Sequence, residues 1–189
     1  MKISEKELKE DFILFAQVVW HYLDLPELTR LQKLTAEFMA DSSRRDRLIQ
    51  AYRGEGKSYI AYAYCVWRIW KDPDIKILAI SATSPRADKF SDTCQRILTV
   101  LPFLNHLIPT GRDVTYTKKL WSVNGTKASG SDTVTSKGIS GQITGARADL
   151  IILDDVEIPG NSGTVEQRAK LRESIPVSYT HLRAHETKA

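Results

Sequence analysis

Cysteine is scarce in this 189-residue chain. Cys65 and Cys94 lie far apart, each in an apolar, helix-like run, so neither a disulfide framework nor a metal knuckle is suggested and a reducing cytosol suits the chain. The N-terminus lacks a basic-then-apolar signal segment, and the longest apolar run, around residues 59–67, stops at Arg68, well short of a membrane span. These absences predict a soluble intracellular protein. There is no internal repeat, no heptad run and no Asn-Lys-x-Asp guanine-reading motif, which counts against solenoids, coiled coils and GTPases. Charge of one sign is also limited: the formal net charge is +4, which permits an anionic polymer as partner without requiring one. Arg44, Arg45 and Arg47 form the densest basic group and read as a solvated turn. The length suits one full domain with a sizeable core.

Against this background Arg53-Gly54-Glu55-Gly56-Lys57-Ser58 stands out. It follows the short apolar run Leu48-Ile49-Gln50-Ala51-Tyr52 and opens a helix-like run from Tyr59 to Trp70, so the spacing predicts strand, glycine loop and helix in that order. Such a loop cradles phosphates: backbone N–H groups wrap them, the lysine reaches the terminal ones and the following hydroxyl holds Mg²⁺. The full pattern has glycine where this chain has Ala51. A second motif, Leu150-Ile151-Ile152-Leu153-Asp154-Asp155, predicts a buried parallel strand delivering a carboxylate pair at its C-terminal edge, where open α/β sheets bind ligands.

Elsewhere Ser4 and Glu7 form a capping-box pattern, and Leu8, Phe12, Phe15 and Val19 predict a helix to about Tyr22. A second helix is expected from near Asp24, with Pro26 and Glu27 in its first turn and Leu28, Leu31, Leu34 and Phe38 as its core stripe. Ile75–Ile80 reads as another buried strand, and Ser84 and Pro85 start a helix carrying Ala87, Phe90, Cys94, Ile97, Leu98 and Leu101 on one face. From Pro109 to Gly145 the composition suggests short strands and turns, such as Asp113–Thr117 and Asp132–Ser136, with Gly138, Gly141 and Gly145 either meeting an anion or simply turning the chain. The alternation of strands and helices predicts an α/β layout.

With these residues placed, the chain resembles the ATPase part of the large terminase subunits of tailed bacteriophages, in their short-tailed branch. The resemblance is carried by residues 51–58, by Lys76-Ile77-Leu78-Ala79-Ile80-Ser81-Ala82 and above all by residues 138–159, and covers about Glu27 to Ile175. It implies an α/β P-loop NTPase fold of the RecA-like, additional-strand type, a mostly parallel sheet flanked by helices and incomplete at the C-terminus. It implies N-terminal helices over 1–45, with an adenine-reading motif, and a P-loop ATPase core over 46–175. The cofactors implied are ATP and Mg²⁺. Gln32, Arg53, Gly54, Glu55, Gly56, Lys57 and Ser58 would bind ATP, with Lys57 on the β- and γ-phosphates and Arg53 stabilising transition-state charge. Ser58 and Asp154 would hold Mg²⁺. Asp155 would activate water where the family usually has Glu, with Glu157 the second choice. Gln32 stands where related motors read adenine, or is simply an exposed helical glutamine. Arg147 would bridge subunits or be a surface arginine, and Arg86 and Lys89 occupy a region that contacts nucleic acid in related helicases.

The activity implied is ATP hydrolysis driving translocation of double-stranded viral DNA into a procapsid. A homo-oligomeric ring would dock on a portal protein in the host cytoplasm, with the small terminase subunit as a further partner and no membrane involved. The alternatives are a helicase-like nucleic-acid-dependent ATPase and a nucleotide-binding module without turnover. Residues 177–187 resemble the translated transposase adapter of sequencing libraries, so 176–189 is expected to be a non-native tail. The family's additional strand, coupling motif and nuclease would follow the acid strand, so no nuclease activity is expected of this chain and its sheet is expected to be poorly stable alone.

Overall fold

The computed structural model describes residues 3–110, 115–127, 131–141 and 148–183, with side chains described as far as residue 174. It divides into two compact units, Met1–Pro73 with Thr93–Ile108, and Asp74–Asp92 with Pro109–Ala189.

The first unit is helical. The Ser4 capping box forms, with Ser4 Oγ accepting from the Glu7 N–H at 3.3 Å and the Ser4 N–H donating to Glu7 Oε2 at 2.8 Å. The helix it opens, α1 (Glu5–Glu10), ends well before Tyr22. Asp11 interrupts the predicted run, because its carboxylate accepts from the N–H groups of Ile13 and Leu14 at 2.8 and 3.1 Å and caps a separate helix, α2 (Phe12–Tyr22). The next helix, α3 (Arg30–Ala40), begins at Thr29 and not near Asp24, whose φ of +53° breaks helical geometry. Its predicted stripe is only partly the buried one: Leu28 is buried, whereas Leu31 and Leu34 are 41% and 50% exposed, and α3 buries Thr35 and Ala36.

Helix α4 (Lys57–Lys71) is the core of this unit and buries ten of its residues. Its rings meet those of the other elements: Phe12 lies 5.3 Å from both Tyr64 and Trp67, while Phe15 and Phe103 flank Trp70 at 5.8 and 5.2 Å. The Trp67 indole N–H donates to the Leu8 carbonyl at 3.0 Å, tying α1 to α4. Each fully buried large side chain contributes roughly 1.5–3 kcal/mol, so the helix that opens at Lys57 is anchored from its middle and far end. The predicted strand over Leu48–Tyr52 does not form. Leu48 and Tyr52 are 80% and 68% exposed, and no strand pairs with them. An apolar run becomes a strand only where an edge accepts its backbone groups and a core takes its side chains, and the described residues supply neither here.

The second unit holds a four-stranded sheet of order β2-β3-β1-β4, from β1 (Ile77–Ser81), β2 (Leu120–Trp121), β3 (Val134–Gly138) and β4 (Leu150–Asp154). β1 pairs in parallel with β3 and β4, and β2 runs antiparallel to β3. The sheet is therefore mixed, correcting the expectation of a mostly parallel one. The stretch joining β2 to β3 has no helix among its described residues to carry a parallel crossover, and an antiparallel return is what such a connection allows.

Helices flank this sheet. One face carries Leu78, Ile80, Ile139, Ile151 and Leu153, against which Leu171 of α7 (Val165–Arg183) packs. By register, Trp121 and Val134 share the opposite face with Ile77. There the Trp121 indole N–H donates to Ser91 Oγ at 2.6 Å, both residues fully buried, which joins the sheet to α5 (Ser84–Val100). α5 begins at Ser84, where the sequence predicts its N-cap with Pro85 the first helical residue; Thr83 stands before the helix instead, its carbonyl accepting from the Ala87 N–H at 3.1 Å. Helix α7 continues to Arg183 and so includes part of the stretch read as a non-native tail.

Gly138 closes β3 against the start of α5: a Cβ there would lie 2.7 Å from Ser84 N and 3.0 Å from Thr83 C, both backbone atoms that cannot swing away. Gly138→Ala is therefore expected to destabilise the chain by about 1–3 kcal/mol, read as a lowered midpoint in thermal or urea unfolding.

Candidate active site

The glycine loop belongs to the helical unit. Gly54 and Gly56 have φ of +93° and +90°, a conformation open to glycine and strained for other residues. Gly56 is the N-cap of α4 and offers it no side-chain hydrogen bond. The loop thus runs directly into a helix N-terminus at Lys57 and Ser58, where first-turn N–H groups and the helix dipole favour an anion. Lys57 and Ser58 are half-buried, and Arg53 and Gly54 are exposed.

Helix α3 shapes this loop. Gln32 completes a capping box with Thr29: its Oε1 accepts from the Thr29 N–H at 3.0 Å and its own N–H donates to Thr29 Oγ1 at 3.2 Å. The Gln32 Nε2 then donates to the Glu55 carbonyl at 2.6 Å. One helical turn on, Thr35 Oγ1 donates to Glu55 Oε1 at 3.4 Å. Glu55 is only 3% exposed, and its Oε2 is buried without a hydrogen-bond partner. Gln32 is thus beside the loop, as its predicted role requires, but both ends of its amide are engaged within the protein. Thr35 was missed by sequence reasoning. Its spacing from Gln32, which places both on one helical face, was the available signal.

Gly56 also leaves room for Gln32, since a Cβ at residue 56 would come within 2.8 Å of Gln32 Nε2. The helical unit also has a cavity of about 350 Å³, with Gln17, Trp20, Leu25 and Leu28 among its walls and no residue of the glycine loop. Trp20 meets Tyr59, the residue after Ser58, edge to face at 6.2 Å.

The carboxylates belong to the sheet unit. Asp154 ends β4 in register with Ser81 at the end of β1 and is half-buried. Asp155 follows with φ +46°, one of two non-glycine residues described with positive φ. Asp tolerates this region better than most residues, and such positions cluster at functional sites. Asp155 and Glu157 are exposed, as are Arg86 and Lys89 on the first turns of α5. The structure brings Gln32, Glu55 and Gly56 together in one unit and sets Asp154, Asp155 and Glu157 along one turn in the other. Residues 142–147, with Arg147 and Gly145, and residues 111–114 lie outside the described residues. Among the described residues no three His, Cys, Asp or Glu side chains converge as a metal cage.

One unit thus carries a glycine loop that opens a helix, and the other a half-buried parallel strand that ends in an acid turn. The search against family models finds no match. Among curated proteins the chain is similar to the large terminase subunit of Enterobacteria phage T3, 44% identical over 167 residues, which is 87% of this chain and 28% of that protein. This match supports reading the chain as a fragment of a bacteriophage large terminase subunit. It spans little more than a quarter of the length of the relative it matches.

If Gln32 holds the loop as described, Gln32→Ala removes the Glu55 bond and half the capping box together. The variant is expected to lose about 1–2 kcal/mol of stability in chemical unfolding with no nucleotide present. A glutamine that only read a base would leave that value unchanged.

Proposed function

We propose that the chain forms the ATP-binding and ATP-hydrolysing part of a DNA-packaging motor, with a RecA-like P-loop core. The observation that carries this reading is the pair of left-handed glycines opening α4 at Lys57 and Ser58, in a chain similar to a phage large terminase subunit. The fit to a triphosphate rests on Gly54 and Gly56, whose φ of +93° and +90° let consecutive backbone N–H groups turn toward one anion. Loop N–H groups and Lys57 would hold the β- and γ-phosphates.

Ser58 and Asp154 would hold Mg²⁺. One hydroxyl and one carboxylate suffice, because this ion keeps several waters and shares substrate phosphates instead of needing a full protein cage. When bound it neutralises charge on the phosphates. Arg53 would stabilise the charge that develops on the transferred group, and Asp155 would take a proton from the attacking water, with Glu157 the alternative base. The substrates and partners follow from the family: double-stranded DNA, contacted through Arg86 and Lys89, a portal protein and a small terminase subunit. A ring of copies would work on the procapsid in the host cytoplasm. No helix among the described residues is long and apolar enough to cross a membrane.

A second reading, nucleotide binding without turnover, is favoured by the absence of a strand at Leu48–Tyr52. Phosphate release from Mg²⁺-ATP, measured beside equilibrium ATP binding, separates the two. Arg53→Ala is expected to cut turnover roughly 10³-fold while ATP still binds, and Asp155→Asn to abolish hydrolysis while sparing binding. Hydrolysis that survives in Asp155→Asn and is lost in Glu157→Gln would transfer the base role to Glu157. ATP bound by the parent chain with no phosphate released would select the binding module.

A further inference from the structure

We propose that Asn161 is a positioning residue for the acid turn, its side-chain amide holding the chain between β4 and the next helix so that Asp155 and Glu157 stay aimed at one place. This rests on the ATPase reading above. The Ile158 N–H donates to Asn161 Oδ1 at 2.8 Å, and Asn161 Nδ2 donates to the Val156 carbonyl at 2.8 Å. The two ends of one planar amide therefore grip backbone groups on either side of Glu157. The Asn161 N–H also donates to the Ile158 carbonyl at 2.9 Å, and Ser162 Oγ donates to that same carbonyl at 2.9 Å.

The turn needs such a hold. Asp155 stands in the left-handed region, which persists only where surroundings determine it. Helix α6 (Pro159–Ser162) has four residues, too few to be stable by its own hydrogen bonds, so the turn is not held merely by leading into a helix. Val156 reaches into the apolar cluster on the sheet face, which fixes the start of the turn. Asn161 fixes the remainder. Both of its side-chain polar atoms are bonded to backbone, so it acts through the turn and not on the substrate.

The chemistry of the amide separates this role from simple packing. Asn161→Asp keeps an acceptor for the Ile158 N–H at nearly the same volume, but places a carboxylate oxygen against the Val156 carbonyl and so breaks one of the two grips. Asn161→Ala removes both. The carboxylates themselves are untouched in each variant.

The test measures kcat and KM for Mg²⁺-ATP, equilibrium binding of a non-hydrolysable ATP analogue, and hydrogen exchange at the Ile158 amide in the chain and both variants. Expected is a fall in kcat of roughly 10–100-fold, the scale of small misplacements of reacting groups, with analogue affinity within about two-fold of the parent, since the glycine loop and Lys57 hold the phosphates, and faster Ile158 exchange in Asn161→Ala. If Asn161→Ala fails to fold, Asn161→Asp carries the same kcat and affinity comparison. Parental kcat in the folded variants, or equal losses of kcat and analogue affinity, would overturn the positioning role while leaving the ATPase reading in place. A parent chain that releases no phosphate overturns the ATPase reading itself, and this proposal with it.

Discussion

The Gln32 amide bears on the glycine loop through one short hydrogen bond, and the geometry of the loop depends on it. Two glycines with positive φ, Gly54 and Gly56, make a backbone able to wrap an anion. The same freedom makes the loop costly to order, because glycine loses more conformational entropy than any other residue. Gln32 answers that cost from outside the loop. It is itself immobilised by the Thr29 capping box, so the hydrogen bond to the Glu55 carbonyl comes from a donor already fixed in place. A flexible surface donor would have to be ordered at the same moment as the loop.

Glu55 sharpens the dependence. An acid 3% exposed, with one oxygen against Thr35 and the other without a partner, is expensive to bury. It holds its position because residue 55 is pinned through both backbone and side chain to two residues one turn apart on α3. The helix behind the loop is equally constrained: the rings of Phe12, Phe15 and Phe103 fix α4 along its length. The N-terminus of α4 is thereby aimed by packing well away from it. On the sheet unit the logic repeats with different parts. The β1–β4 register brings Asp154 level with Ser81, and the turn that follows is held by side-chain amide bonds to backbone groups.

Much of this was legible along the chain. The glycine loop, the start of α5 near Ser84, and β4 ending in Asp154 are local patterns whose residues carry their own geometry: φ freedom at glycine, a proline in the first turn of a helix, a short apolar run ending in acid. Failures came where competition between local signals decided the outcome. Asp11 could continue a helix or cap a new one, and two N–H bonds to its carboxylate settled it. Leu31 and Leu34 had helical spacing, but the face of α3 that meets the loop holds Thr35. The Leu48–Tyr52 run had strand composition without a strand beside it. The direction of β2 was equally invisible, since antiparallel pairing is set by the path of the connection and not by the residues of the strand.

The sequence by itself determined the kinds of chemistry this protein can carry: which residue is cationic at the end of the glycine loop, which positions accept positive φ, and which strand ends in acid. Those properties belong to single residues and to neighbours a few positions apart. The tertiary structure alone decided how these groups are held. That Gln32 meets Glu55, that Thr35 covers a buried carboxyl, and that Trp121 reaches Ser91 all depend on backbone separations far longer than any local pattern. A hydrogen bond needs donor and acceptor within a few tenths of an ångström of one distance, and only the packed core fixes backbones to that precision.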